Sequence, residues 1–155
     1  MTEPCFLSAA EAAAEIRAGR LTSEALVSSC LQRIAAREDT VRAWTFLDPE
    51  SALAQARACD ASEPRGPLHG VPVGVKDVID TADMPTELGA AAFAGRRPSG
   101  DAVGIAFLRE AGAVIMGKTV TAELATYHPG PTANPRSPGH TPGGSSSGSA
   151  RTARP

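Results

Sequence analysis

The stretch that most limits what this chain can fold into lies near its end. Five prolines and four glycines fall between Pro129 and Gly144, which excludes a helix interior or a central strand there. The chain then runs Gly143-Gly-Ser-Ser-Ser-Gly-Ser-Ala150. Glycine opens backbone conformations closed to other residues, and serine hydroxyls can give or take a proton. By composition alone such a run is either a flexible linker or a loop wrapped on a folded body. What lifts it above a linker is a second segment, Gly70-Val-Pro-Val-Gly-Val-Lys76-Asp77, in which a lysine sits inside an apolar strand.

The chain has 155 residues, which fits one ordinary domain. Its hydrophobic content of 42% and charged content of 21% fit a globular protein. Aromatics are only 4%, so the core must be made from Ala, Val, Leu and Ile. A net charge of −2 gives no electrostatic reason to expect nucleic acid or a membrane as partner. No apolar run approaches the ~20 residues that span a bilayer. Met1-Thr2-Glu3-Pro4 lacks the basic start and apolar run of a secretory leader. Cys5, Cys30 and Cys59 are odd in number and widely spaced, which fits neither a disulfide framework nor a metal site. The expectation is reduced thiols in the cytoplasm, with Cys30 in a helix core and no metal or cofactor.

Taken in order, Ser8-Ala9-Ala10-Glu11 is a capping box that opens a helix to about Ala18. Thr22 caps a second helix, in which Leu26, Val27, Cys30, Leu31 and Ile34 recur at helical spacing. Val41 to Leu47 reads as a short strand. Asp48-Pro49-Glu50 starts a third helix that ends near Asp60. Leu68 to Thr81 is the long strand candidate: Val71, Val73 and Val75 face one way, Pro72, Gly74 and Lys76 the other. Gly74 beside Lys76 leaves room for another backbone to approach the lysine. Asp101 is placed to cap a helix through Ala111, with Val103, Phe107 and Ala111 on one stripe. Ala113 to Met116 reads as a buried strand, and Thr119 or Thr121 opens a further short helix. Strands alternating with helices argue for an α/β arrangement with some parallel pairing. Residues 1–60 form a helical scaffold, 61–128 an α/β core with the lysine strand, and 129–155 the Pro/Gly/Ser-rich loop and an atypical tail.

Gly112-Ala-Val-Ile-Met-Gly117-Lys118-Thr119 matches the phosphate-loop pattern letter for letter. The mechanism does not follow. A phosphate loop comes after a strand and opens a helix. Here the four middle residues read as the strand itself, and a helix precedes them.

Lys76 has two readings. A lysine at a strand end is ordinarily paired with an acid such as Asp77 and reaches solvent. The functional alternative is a buried base. A lysine amine is a cation at neutral pH, and burial disfavours that cation. An unprotonated amine can then take a proton from a hydroxyl, which makes a serine nucleophilic without histidine. Ser146, Ser147 and Ser149 are chemically able as well, with His128 and His140 as nearby bases. A local Ser/His pair is weak grounds for a site, because the fold and not the sequence brings such groups together.

Two segments carry a resemblance: Gly66-Pro-Leu-His-Gly-Val-Pro-Val-Gly-Val-Lys-Asp77 and Asn134-Pro-Arg-Ser-Pro-Gly-His-Thr-Pro-Gly-Gly-Ser-Ser-Ser-Gly-Ser-Ala150. Together with Gly117-Lys-Thr and Glu123-Leu124 they resemble the amidase signature family of hydrolases, over nearly the whole chain from about Leu7. The resemblance gives Lys118 an ordinary place in the family pattern. It implies an α/β fold with a mixed β-sheet covered by helices, of which this chain is the N-terminal portion. It implies hydrolysis of a carbon–nitrogen bond in a small-molecule amide, through an acyl-enzyme and a Ser–cisSer–Lys triad, without a cofactor. Lys76 matches the triad lysine and Ser145 the bridging serine. Gly143, Gly144 and Ser146 fall in the loop that faces substrate. Ser147 stands where many members have glycine and is given no role.

The departure is at the end. By that resemblance the nucleophilic serine lies roughly two dozen residues past the bridging one, in a second glycine-rich turn that also supplies the oxyanion hole. These 155 residues contain no such turn. The family continues into an alanine-rich helix where this sequence has Arg151-Thr-Ala-Arg-Pro155. The expectation is a hydrolase portion with base and relay but no turnover of its own. The alternative is a non-catalytic portion that binds a partner or self-associates through exposed sheet surface.

Overall fold

The computed structural model describes residues 3–137 and 139–152. Among the described residues are five α-helices, α1 (Ala9–Arg17), α2 (Ser23–Val41), α3 (Pro49–Asp60), α4 (Val103–Glu110) and α5 (Ser147–Thr152), three single 3-10 turns, and three strands, β1 (Trp44–Leu47), β2 (Pro72–Lys76) and β3 (Val114–Thr119).

The helix starts are set locally. Ser8 Oγ accepts from Glu11 N–H at 3.2 Å while the Glu11 carboxylate accepts from Ser8 N–H at 2.8 Å, so two orphan donors are satisfied at once. Thr22 Oγ1 accepts from Ala25 N–H. Asp60, from the far end of α3, accepts from Ser23 and Glu24 N–H at 2.7 and 2.9 Å. A carboxylate on those free donors also meets the positive end of α2. Asp48 caps α3 through Ser51 N–H at 2.9 Å.

The sheet has the order β1-β3-β2. β1 runs antiparallel to β3, with Trp44 opposite Thr119, Phe46 opposite Lys118 and Leu47 opposite Gly117, and a bulge between Trp44 and Phe46. Val114 N–H donates to Val71 C=O and Asp77 N–H donates to Thr119 C=O, so β2 and β3 run the same way. The sheet is therefore mixed. As the central strand, β3 is buried at every position, Val114 through Thr119. That is why Ala113 to Met116 reads as a continuous apolar run and not an alternation.

The chain forms two compact units. The first gathers Met1–Ala36, Asp48–Val73 and Ala106–Met116. Its core includes Leu26, Val27, Ala52, Ala56, Val114 and Ile115, all nearly fully buried. Gln55 exchanges two hydrogen bonds with the Ile115 backbone, at 3.2 Å each, and so stands in for a pairing strand there. The second unit gathers Arg37–Leu47, Gly74–Ile105 and Gly117–Pro155. Within it, residues 129–137 are a wrapped loop and not a linker. Ala133 N–H donates to Val41 C=O at 2.9 Å, and Thr132 Oγ1 donates to Arg42 C=O at 2.8 Å.

Several elements differ from the sequence reading. The strand expected from Val41 to Leu47 is only Trp44–Leu47, because Val41 is still the last residue of α2. The long strand expected from Leu68 to Thr81 is only Pro72–Lys76. Gly70 precedes it at φ +76°, and after Lys76 the chain turns, with Ile79 N–H on Lys76 C=O. Alternation marked the strand, but these two turns bound it. Beyond β3 the short helix is a single 3-10 turn, Glu123–Ala125, opened by Ala122 and not by Thr119, the last strand residue, or Thr121. On α4 the Val103/Phe107 stripe lies on the open side, 70% and 64% exposed, and Ile105 is the buried residue.

The long segment between β2 and α4 is held by polar clips. Arg96 makes two hydrogen bonds to the Asp80 carboxylate, at 2.7 and 3.0 Å, and a third to Thr86 C=O. The Arg96 guanidinium holds the Asp80 carboxyl below its ordinary value of 3.8. A carboxyl whose folded value is lowered stabilises the fold above the unfolded value and loses that contribution as pH falls. Both side chains are over a third exposed, so the contribution is at most about 1 kcal/mol. Asp80→Asn is expected to lower stability by that amount at pH 7 and by progressively less in acid. Urea unfolding at pH 7 and at pH 3 checks it.

Candidate active site

The site lies in the second unit, where the end of β2 meets the serine-rich loop. Lys76 is the last residue of β2 and is half-buried. Its Nζ donates to Ser145 Oγ at 2.7 Å across 69 residues of sequence. The Gly144–Ser145 peptide is cis. Ser145 is half-buried, and its C=O accepts from Ala122 N–H at 2.8 Å.

The loop is stitched to the end of β3 just after this contact. Gly148 N–H donates to Val120 C=O at 3.0 Å. Ser149 Oγ and Thr119 Oγ1 share a hydrogen bond of 2.8 Å. Ser147 is buried and donates to Val120 C=O at 3.5 Å. A Cβ at Gly148 would collide with Ala43 C=O and Val120 N–H, so only glycine lets α5 sit this close. Gly143, at φ +94°, donates its N–H to Thr141 Oγ1 at 2.9 Å. Gly143 and Gly144 are exposed, and nothing lies within 4 Å of where a Cβ would be. Ser146 is half-buried, and its C=O accepts from Ala150 N–H.

Around Lys76 the surroundings depart from expectation in two ways. The room at Gly74 is filled not by a second backbone but by the Trp44 ring, 2.8 Å from a would-be Cβ, and the Thr119 methyl. Asp77 does not turn to its neighbour Lys76. Its carboxylate lies 3.4 Å from Lys118 Nζ, both side chains being at most 2% exposed. Glu87 N–H also donates to that carboxylate, at 3.2–3.3 Å. Lys118 Nζ further donates to Ile79 C=O at 2.9 Å, to Pro85 C=O at 3.2 Å and to Thr86 Oγ1. Burial pushes the Lys118 amine below its ordinary value, opposed by the Asp77 charge. Burial likewise pushes the Asp77 carboxyl up, opposed by Lys118.

The sequence reading gave neither Asp77 nor Lys118 a role in the site. A signal was available: the chain has only two lysines, Lys76 and Lys118, among 15 basic residues. The two candidate loop histidines are engaged elsewhere. His128 pairs with Glu123 at 2.9 Å, and His140 Nδ1 with Ser137 Oγ at 2.7 Å. Among the described residues, no group of three or more His, Cys, Asp or Glu could hold a metal, and no helix is long and apolar enough to cross a membrane. The phosphate-loop letters run from a turn at Gly112 into β3 at Val114–Thr119, with Lys118 buried and turned onto protein oxygens.

Known proteins share this arrangement of chain. The family model described as Amidase matches residues 25–152. A glutamyl-tRNA(Gln) amidotransferase component from Chloroflexus aggregans is 43% identical over 162 residues, covering 97% of this chain and 33% of the relative. The putative amidase AmiD of Mycobacterium tuberculosis is 46% identical over 150 residues, covering 92% and 32%. The structure of native peptide amidase from Stenotrophomonas maltophilia matches with a TM-score of 0.83 at 40% identity, over 91% of this chain and 32% of that one. Fatty acid amide hydrolase matches with 0.86 at 28% identity, over 96% and 28%. The chain thus spans about a third of the length of the curated relatives it matches.

The packing at Gly148 gives a direct test. Gly148→Ala is expected to cost about 1–3 kcal/mol through forced displacement of the loop. Gly104→Ala, on α4 with nothing within 4 Å of a Cβ, is expected to stabilise by about 0.5–1 kcal/mol through helix propensity. Denaturant midpoints of the two variants, moving in opposite directions, are the measurement.

Proposed function

The chain belongs to the amidase family, and we propose that it carries the proton-handling half of an active site that hydrolyses the carbon–nitrogen bond of an amide. The observation that carries this reading is the 2.7 Å contact between Lys76 Nζ and Ser145 Oγ. An amine and a hydroxyl at that distance can pass a proton.

The chemistry proceeds in balanced steps. A serine nucleophile gives its proton to Ser145 Oγ as Ser145 gives its own to the unprotonated Lys76 amine. The serine oxygen bonds to the amide carbon. The tetrahedral adduct collapses, the C–N bond breaks, and the proton returns along the same relay to the leaving nitrogen. Water then repeats the sequence on the acyl-enzyme and releases the acid. Lys76 is the base and Ser145 the relay. Gly143 and Gly144 present open backbone on the substrate side, with Ser146 beside them. The nucleophile is assigned, by family resemblance, to a second glycine–serine turn outside these residues.

The substrate is assigned only as an amide. The relatives' names point to a tRNA-linked transfer, a peptide and a fatty acid amide, which share little beyond that bond.

In a chain that also carries the second turn, Lys76→Ala and Ser145→Ala are each expected to lower kcat/KM for a chromogenic arylamide by about 10³-fold or more. The 155 residues alone are expected to show no hydrolysis above that of their own Lys76→Ala variant. Turnover by these residues that is lost in Lys76→Ala would instead place the nucleophile among Ser146, Ser147 and Ser149. Retention of activity in both single variants would leave the non-catalytic reading standing.

A further inference from the structure

The Lys76–Ser145 contact joins two groups that are each fixed from elsewhere. Lys76 is followed at once by Asp77, which is held on four sides. Its N–H donates to Thr119 C=O at 3.0 Å, and its C=O accepts from Leu88 N–H at 3.0 Å. Its carboxylate takes Glu87 N–H and faces Lys118. Lys118 in turn gathers three further oxygens, from Ile79, Pro85 and Thr86, all in the segment that follows β2. An ammonium that meets two backbone carbonyls, a hydroxyl and a carboxylate acts here as an internal cation that closes the 77–88 turn around itself.

The same turn reaches Ser145 by a second route. Leu88 C=O accepts from Leu124 N–H at 2.8 Å, Ala122 C=O accepts from Ala125 N–H, and Ala122 N–H donates to Ser145 C=O at 2.8 Å. Leu88 and Leu124 are both non-glycine residues in the left-handed region, at φ 59° and 48°. Such residues persist only where their surroundings over-determine them. So the buried Asp77–Lys118 pair backs the base, and a run of backbone hydrogen bonds through the exposed Leu124 and Ala125 reaches the relay from its carbonyl side.

The geometry points to Asp77 and Lys118 as positioning residues, whose buried ion pair sets the end of β2 and the Leu88–Leu124 contact so that Lys76 Nζ meets Ser145 Oγ. Neither touches the reacting atoms. The inference rests on the proposed roles of Lys76 and Ser145, but its test does not require turnover.

The two-lysine composition supplies the readout. Lysine labelled with ¹³C at Cε gives two side-chain signals from the folded chain, and any variant lacking Lys118 leaves only that of Lys76. Ser145→Ala is expected to move the Lys76 signal and leave Lys118 in place. The double variant Lys118→Met/Asp77→Asn removes both charges together, so no unpaired buried charge remains. It is expected to retain a cooperative melt while its Lys76 signal moves at least half of the Ser145→Ala displacement. Thr86→Val keeps the ion pair and the side-chain shape but removes one oxygen from Lys118. It is expected to move Lys76 in the same direction by less, and it decides the matter if the double variant does not fold. A folded double variant, or Thr86→Val where the double is unfolded, with Lys76 at its wild-type position would make the pair structural only and overturn the inference alone. A Lys76 signal indifferent to Ser145→Ala would overturn the proposed relay, and the inference with it.

Discussion

The structure depends on the central position of β3. A strand paired on both edges and covered on both faces leaves no solvent for any side chain it carries. Burying Val114, Ile115 and Met116 supplies roughly 1.5–3 kcal/mol each. The same position forces Lys118 into the interior, where an isolated ammonium would cost far more than one such residue returns. The fold meets that demand with four oxygens from one short stretch, three of them neutral. The irregular segment after β2 is therefore shaped by the need to solvate a cation. That need also explains why Asp77 turns inward and leaves Lys76 free to bond to Ser145.

The serine-rich loop depends on β3 in a different way. Its composition gives it no structure of its own, so its geometry is borrowed from what it touches. Val120 and Thr119 supply backbone and hydroxyl partners to residues 147–149, and Gly148 permits the approach. The exposed Gly143 and Gly144 make no such packing contact. The loop thus has a pinned side and an open side, with Ser145 at the join. That arrangement suits a group that must hold its place against Lys76 while its neighbours admit a substrate.

How much of this could be read from the sequence varied with the range of the interaction. The capping box at Ser8 and Glu11 and the cap at Asp48 were legible because both partners lie within three residues. The apolar run of β3 was legible because central burial writes itself into composition. The limits of β2 were not, since alternation from Val71 to Val75 says nothing about the turn at Gly70 or the inward pull on Asp77. The buried face of α4 was not legible for a related reason. Val103 and Phe107 share a helix face, but which face is covered depends on elements remote in sequence, and Ile105 proved to be the buried residue. Lys76 stood out as a lysine inside an apolar strand, but its pairing with Ser145 came from resemblance. No local pattern links two residues 69 positions apart, and their distance is a property of the fold.

The segment Gly112 to Thr119 shows why letters alone do not fix chemistry. In a phosphate loop the glycines let a turn curl and its N–H groups converge on an anion. Here the N–H groups belong to a strand between two neighbours, so they are not free to converge. A side chain at Gly117 would strike the Phe46 carbonyl, so this glycine serves close strand packing. The lysine that would meet a phosphate meets carbonyls and a carboxylate instead. The same two residues, Gly117 and Lys118, would serve a nucleotide in one backbone context. In this one they let β1 approach and place a cation behind Asp77. The strand register decides between these outcomes, and burial on both faces fixes that register.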